Sequence, residues 1–490
     1  MSIANTASRL ALHPLYGSIP TSLHFHTVLL AAILLSPFLP SPAQSNCLAI
    51  IASLLAFAPV SAFWVGSRSA RHLGPVWGPV LTHLVLAAPI TSLGSSLVCK
   101  WIVSVMPSDH PAAPANKRHT QTCIPQSAIS RLAFSLLLPL FLGQFSLDQH
   151  PYRHNTYPYS TVTTNGTVTI LARTQSTTGT IIIAEHSNAS FRYMRCDHSL
   201  LGGRWIVKAP SGAELGENIW EGFALHDAVR LVERATPLVS GPERALVIGL
   251  GVGISTSAFM EHSIQTTVVE IDPAVYQYAR QFFGLPEPHA VFLEDARGWV
   301  HKSIDSLPES ERFDYVVHDC FSGGAVPMHM FTTEFWSDLK QIVKPDGVVA
   351  VNFVGVLESD ATRAILATLL RNFRQCRVFH DKDVGDDKRR APTDFLDLVF
   401  YCTSSKRPLE FRLPKPSDYL ASAMREAVLT SLPEREVDFS MIWGNRTPES
   451  DKKWILTDNY NPLNQWQRPS ALRHWRILRS LLPDEAWEFY

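Results

Sequence analysis

Charge and cysteine chemistry are what this 490-residue chain has little of. Its 43 lysines and arginines are balanced by 44 aspartates and glutamates, so the net charge is −1. That balance leaves no global electrostatic case for a nucleic-acid partner. The one compact basic cluster, Lys388-Arg389-Arg390, directly follows Asp386-Asp387 and reads as a solvated loop. Seven cysteines (47, 99, 123, 196, 320, 376, 402) are scattered without a C-x-x-C pair. This argues against a zinc site, so no metal is expected, and against a disulfide framework. Three N-x-[ST] sequons, at Asn165, Asn188 and Asn445, are about what chance gives in a chain of this composition and do not fix its sidedness.

Apolar residues, by contrast, are concentrated in the first third. Runs at about Leu23–Leu39, Cys47–Val65, Val76–Leu97 and Ile129–Phe145 each approach the roughly 20 residues that cross a bilayer as a helix. The first carries His24 and His26, and the fourth carries Arg131, which can snorkel to an interface. A cleaved signal sequence ending near Ser41-Pro42-Ala43 is the alternative for the first run. It is disfavoured by a long preceding region with Arg9 as its sole positive charge. With four spans, Arg9, Arg68 and Arg71 place the carboxyl-terminal domain of this multi-pass membrane protein in the cytosol. Lys117 and Arg118 count against that orientation.

The most informative stretch is RALVIGLGVGISTSAFMEHSIQTTVVEID, residues 244–272. An apolar run ends in Gly249, Gly251 and Gly253; a helix-compatible segment follows; a second apolar run delivers Glu270. Strand, glycine turn, helix, strand and acid in that order suit a nucleoside-containing cofactor. The glycines allow a tight turn and close approach, and the acid accepts hydrogen bonds from ribose hydroxyls. From Arg244 onward strands alternate with helices, which predicts a parallel sheet covered by helices. The predicted strands are Ala245–Leu250, Thr266–Ile271, Ala290–Leu293, Tyr315–His318, Val348–Phe353 and Leu396–Cys402. Gly249–Gly253, Glu270, Asp295 and Asp319 all fall at carboxyl ends of these strands, around one crevice. Before them, Ser160–Lys208 is rich in β-branched and aromatic residues and reads as a small antiparallel unit. The domain plan is 1–146 membrane helices, 147–210 linker and small β domain, 211–405 α/β domain, and 406–490 a carboxyl-terminal extension.

Several stretches resemble the spermidine synthase (polyamine aminopropyltransferase) family, and in particular its membrane-anchored branch. They are MRCDHSLLGG (194–203), ALVIGLGVG (245–253), VVEIDP (268–273), LEDAR (293–297), FDYVVHDCFSGGAVPMHMFTTEFWSDLKQIVKPDGVVAVN (313–352) and LTDNYNPL (456–463). The resemblance implies an α/β fold with a Rossmann-like, methyltransferase-type sheet preceded by the small β unit. It implies a transferase that moves an aminopropyl group to an amine, using S-adenosylmethionine or its decarboxylated form as co-substrate. Glu270 would hold the ribose hydroxyls, Asp295 the adenine amino group, and Asp319 would bind and deprotonate the attacking amine. Expected partners are a small-molecule amine, the membrane and a second copy of the chain. Each aspartate also has a plainer reading as a helix cap.

The departures from the family pattern bear on the acceptor. Val252 stands where the family's glycine motif carries an aspartate that repels the carboxylate of S-adenosylmethionine. Ser322 replaces the second acid of the D-x-x-D element. If GENIWEGFALH (216–226) is the matching helix, Trp220 replaces a tyrosine and Gly222 a glutamate of the amine channel. A polycation site needs several carboxylates. These changes leave two further readings open: a methyltransferase, or a non-catalytic nucleoside-binding membrane protein.

Overall fold

The structure is a computed structural model describing residues 2–38, 44–105, 156–163, 166–208, 214–234, 241–382, 391, 393–446 and 452–489. The apolar run at Ile129–Phe145, the sequon Asn165 and the basic cluster Lys388–Arg390 lie outside the described residues. The chain divides into two compact units, Met1–Tyr159 with Arg479–Tyr490, and Ser160–Leu478.

In the first unit the first three apolar runs are helical. Leu23–Leu39 contains the helix Phe25–Leu35. The second and third runs both fall in Gln44–Val105, which breaks at Gly74, where φ is 67°. Two stretches, Ser18–Phe38 and Val60–Ile102, are long and apolar enough to cross a membrane. Several of their large apolar side chains are mostly exposed, including Leu34, Phe38 and Trp77. The final helix, Asp484–Glu488, belongs to this unit. Glu488 holds Arg71 through two bonds of 2.7 and 2.6 Å, and Trp487 is fully buried.

The second unit begins with an antiparallel six-stranded sheet in sequential order. Its strands are β1 (Tyr159–Thr163), β2 (Gly166–Gln175), β3 (Thr180–His186), β4 (Phe191–Cys196), β5 (Ser199–Lys208) and β6 (Glu214–Asn218). The first three residues of GENIWEGFALH, Gly216–Asn218, are therefore strand rather than helix; the helix is Gly222–Asp227.

A seven-stranded sheet follows. Its members are β7 (Arg244–Ile248), β8 (Gln265–Val269), β9 (Ala290–Phe292), β10 (Phe313–His318), β11 (Val343–Val356), β12 (Gln375–His380) and β13 (Phe395–Thr403), in the spatial order β12-β13-β11-β10-β7-β8-β9. Strands β7 to β11 run parallel, with helices Ile254–Glu261, Pro273–Phe283, Ala296–Ser306 and Thr333–Ile342 as crossovers. This is the Rossmann-like, methyltransferase-type α/β fold. The sheet is not parallel throughout: β13 is antiparallel to both β11 and β12. Strand β12 went unforeseen because QCRVFH is short and half polar. Its pairing places Cys376 opposite Cys402, and the two form a disulfide. That corrects the expectation from cysteine spacing, which registers local motifs and not cross-strand neighbours. The tail packs into the same core, where Trp443, Trp454, Leu456 and Leu463 join the cluster around Trp336.

Candidate active site

The order of the sheet reverses between β7 and β10, and ligands of open α/β sheets bind outside the strand ends at such a point. The glycine turn leaves β7 here and Asp319 leaves β10 beside it; the Asp319 N–H donates to the carbonyl of Ile248 at 2.8 Å. Gly249 has φ 86°, and a Cβ there would collide with the carbonyl oxygen of Asp319. Gly251, at φ 54°, is equally crowded by the carbonyl of Leu201 on β5. These two glycines therefore let the loop pass between β10 and the small sheet. Gly253 starts the helix Ile254–Glu261.

Glu270, one residue past β8, is buried. Its oxygens accept from the N–H groups of Leu250 and Asp272, both at 2.8 Å. Burial pushes its pKa up to about 7, and the charge of Asp272 adds to the rise. An acid so placed, bonded to the glycine loop itself and able to accept further donors, fits a nucleoside's ribose. Asp272 went unassigned in the sequence. It is fully buried and accepts from Ser176 Oγ, Thr178 N and Thr178 Oγ1 of the β2–β3 turn, and from Ala274 N. It thereby ties the small sheet to the segment that carries Glu270.

Asp295 caps the helix Ala296–Ser306, accepting from the N–H groups of Arg297 (2.9 Å) and Gly298 (3.2 Å). Its other oxygen lies 3.0 Å from His329 Nε2. Burial opposes its ionisation, but His329 and the helix N–H groups outweigh that, and its pKa is lowered. The LTDNYNPL segment docks beside it. Asp458 pairs with Arg297 at 2.5 Å, and Asn461 Nδ2 donates to the carbonyl of Met328 at 2.8 Å.

Asp319 caps no helix; the next helical turn is Met328–Met330. Asn352 Nδ2 donates to its Oδ1 at 2.7 Å, and His226 Nδ1 lies 3.9 Å from its Oδ2. Neither Asn352 nor His226 stood out in the sequence, because each becomes informative only through β10–β11 pairing or the docking of Gly222–Asp227. His318 points to the opposite face, as strand alternation predicts. It packs among Phe331, Phe335 and Trp336, where burial drives its pKa to about 3. Val252 is buried in an apolar cluster with Ile183, Met194 and Leu250, so no carboxylate occupies that position. A Cβ on Gly202 would lie 2.7 Å from its Cγ2.

Residues 229–380 match the Spermine/spermidine synthase domain family. The N-terminal histidine N-methyltransferase of Emericella nidulans is 39% identical over 372 residues, which are 74% of this chain and 65% of that relative. The chain thus spans just under two thirds of that protein's length. The polyamine aminopropyltransferase of Vibrio vulnificus is 36% identical over 233 residues, 46% of this chain and 69% of that protein. The crystal structure of the spermidine synthase of Thermotoga maritima overlays at a TM-score of 0.34 and 16% identity, covering 53% of this chain and 84% of that one. On the domain match and the similarity to the Vibrio vulnificus protein, the chain belongs to the spermine/spermidine synthase family.

Proposed function

We propose that the protein is an S-adenosylmethionine-dependent N-methyltransferase whose acceptor is an N-terminal histidine. The observation that carries this reading is Val252. Aminopropyl transfer uses a cofactor without a carboxylate, and an acid at this position would exclude the carboxylate-bearing form; a buried valine imposes no such bar. The similarity to the Emericella nidulans enzyme, over most of this chain, supports the same choice. The cofactor supplies an electrophilic methyl group on a sulfonium. Glu270 would hold its ribose, and Asp295, with His329, would meet the adenine. Asp319 is placed to accept the proton that the acceptor nitrogen gives up as its bond to the methyl carbon forms and the carbon–sulfur bond breaks. Asn352 fixes one oxygen of Asp319 and leaves the other toward His226. Aminopropyl transfer is the second reading, favoured by the similarity to the Vibrio vulnificus enzyme.

The apolar helices would anchor the protein in a membrane, supported by their length and by the exposed side chains along them. The disulfide favours the oxidising side of that membrane, against the cytosolic placement expected from loop charges. Asn188 lies exposed in the β3–β4 turn, open to glycosylation on that side. Carbonate extraction tests the anchor, and release into the soluble fraction would end it. A glycosidase-sensitive mass at Asn188 supports the oxidising side; an unmodified Asn188 with reduced cysteines in cells returns the domain to the cytosol.

The activity is tested with full-length protein in detergent, S-adenosylmethionine and a short peptide beginning with histidine. Mass spectrometry should show one added methyl group on the terminal histidine. An unmodified peptide, together with aminopropyl transfer to putrescine from the decarboxylated cofactor, would overturn the reading.

A further inference from the structure

An acid of the family's amine side is missing at Ser322 and, if 216–226 is the matching segment, at Gly222, yet the fold brings other carboxylates against Gly222. Asp397 on β13 sits opposite Val354 of β11, and Val399 opposite Asn352. Residues two apart share a face, so Asp397 lies on the face where Asn352 holds Asp319. Asp381 follows β12, and its Oδ1 accepts the N–H of Asp397 at 3.1 Å. Trp220 Nε1 donates to Asp397 Oδ2 at 3.2 Å, and a Cβ on Gly222 would lie 2.6 Å from that oxygen. Gly222 thus makes room for Asp397.

The second oxygen of Asp397 is buried and has no hydrogen-bond partner, although the residue is only 7% exposed. Two groups beside Asp319 share this condition, His226 Nε2 and Asn352 Oδ1. Burial raises the pKa of Asp397 well above normal, and the charges of Asp381 and Asp319 raise it further. Asp381 itself is pushed up to about 6 by burial, with Glu221 adding to it. Among the described residues, Lys382 next to Asp381 pairs with Asp394 at 3.7 Å, and the donors of the buried Arg435 are engaged. Nη1 binds the main-chain carbonyl of Asp381 at 2.7 Å, and Nη2 pairs with Glu221 at 3.0 Å. Three aspartates therefore gather at one end of the crevice with an unused buried acceptor among them. Buried carboxylates so arranged call for a cationic donor.

We propose that Asp397 and Asp381 form the subsite for a primary ammonium group of the acceptor, which presents its reactive nitrogen to Asp319. This deepens the reading of the crevice as a transferase centre and rests on it. For a peptide beginning with histidine, the terminal ammonium binds at Asp397 and the imidazole turns to Asp319. A polyamine offers the same ammonium chemistry, so the test separates the two sources.

Full-length protein in detergent, saturated with S-adenosylhomocysteine, is titrated calorimetrically with three probes: a histidine-initiated peptide, its N-acetylated form, and spermidine. Losing one partner of a buried charge pair costs about 2 kcal/mol or more, roughly 30-fold in affinity. Wild type should prefer the free peptide over the acetylated one by at least that factor. Asp397→Asn should erase the preference while S-adenosylhomocysteine binds as before. Asp381→Asn provides the same comparison should the first variant melt early. Equal binding of both peptides, or a preference that survives both substitutions, overturns the subsite. If spermidine alone binds and weakens about 30-fold in Asp397→Asn, the subsite stands and the histidine acceptor falls. A preference for the free peptide without any methyl transfer refutes the methyltransferase reading alone. Binding of none of the probes overturns the subsite.

Discussion

Glu270 should make the protein's stability and its cofactor affinity depend on pH in opposite directions. Its carboxyl is buried against two backbone N–H groups, and its pKa rises from 4.5 to about 7. At about 1.36 kcal/mol per unit, that difference is worth roughly 3 kcal/mol. The sign follows from proton counting. Between pH 4.5 and 7 the unfolded chain has released this proton and the folded chain retains it, so this group's contribution to stability falls as pH rises through that window. Glu270→Gln removes the titration and leaves one N–H facing an amide donor. Its thermal stability should therefore lie below wild type at pH 4.5, and the gap should narrow by on the order of 3 kcal/mol toward pH 7.5. Ribose hydroxyls donate more strongly to the ionised acid, so affinity for S-adenosylmethionine should rise through pH 7 in wild type and stay flat in the variant. Calorimetric titration and thermal melts across pH measure both. Parallel melting curves for the two proteins, with pH-independent affinity, would refute the placement of Glu270 as a buried titrating acceptor.

Two further outcomes follow. Asp319→Asn keeps shape and the bond to Asn352 but not basicity, so turnover should fall on the order of 10²- to 10⁴-fold while cofactor affinity holds; retained turnover removes Asp319 from the chemistry, and lost thermal stability assigns it a structural role. Replacing both Cys376 and Cys402 by serine opens a link between residues 26 apart, which should lower stability by roughly 3 kcal/mol; denaturant melts unchanged from wild type would show that the cross-link does not form.

The glycine loop and its buried acid were legible in the sequence because their signals are local. A strand, a glycine turn, a helix and an acid lie within 29 residues, and the structure folds them as that order implies. Strand alternation alone puts His318 and Asp319 on opposite faces, as the structure has them. The Asp381–Asp397 pair, proposed above as the acceptor subsite, was not legible, because it is assembled across strands distant in sequence. Asp397 sits inside FLDLVFYCT, an apolar run whose one acid carries no motif, and Asp381 follows a strand that propensity did not reveal. The same blindness hid the disulfide, which depends on β12–β13 register. Asp272, directly before a proline, carried no sequence signal beyond the end of the VVEIDP stretch. Its bonds to Ser176 and Thr178 needed the small sheet in place to appear.

The most direct measurement is the affinity of the full-length protein for S-adenosylmethionine against its decarboxylated form, at equal pH and salt. With Val252 buried in apolar contacts and no acid to meet the cofactor's carboxylate, the account predicts that the intact cofactor binds more tightly. A clear preference for the decarboxylated form would contradict it and restore aminopropyl transfer as the reaction.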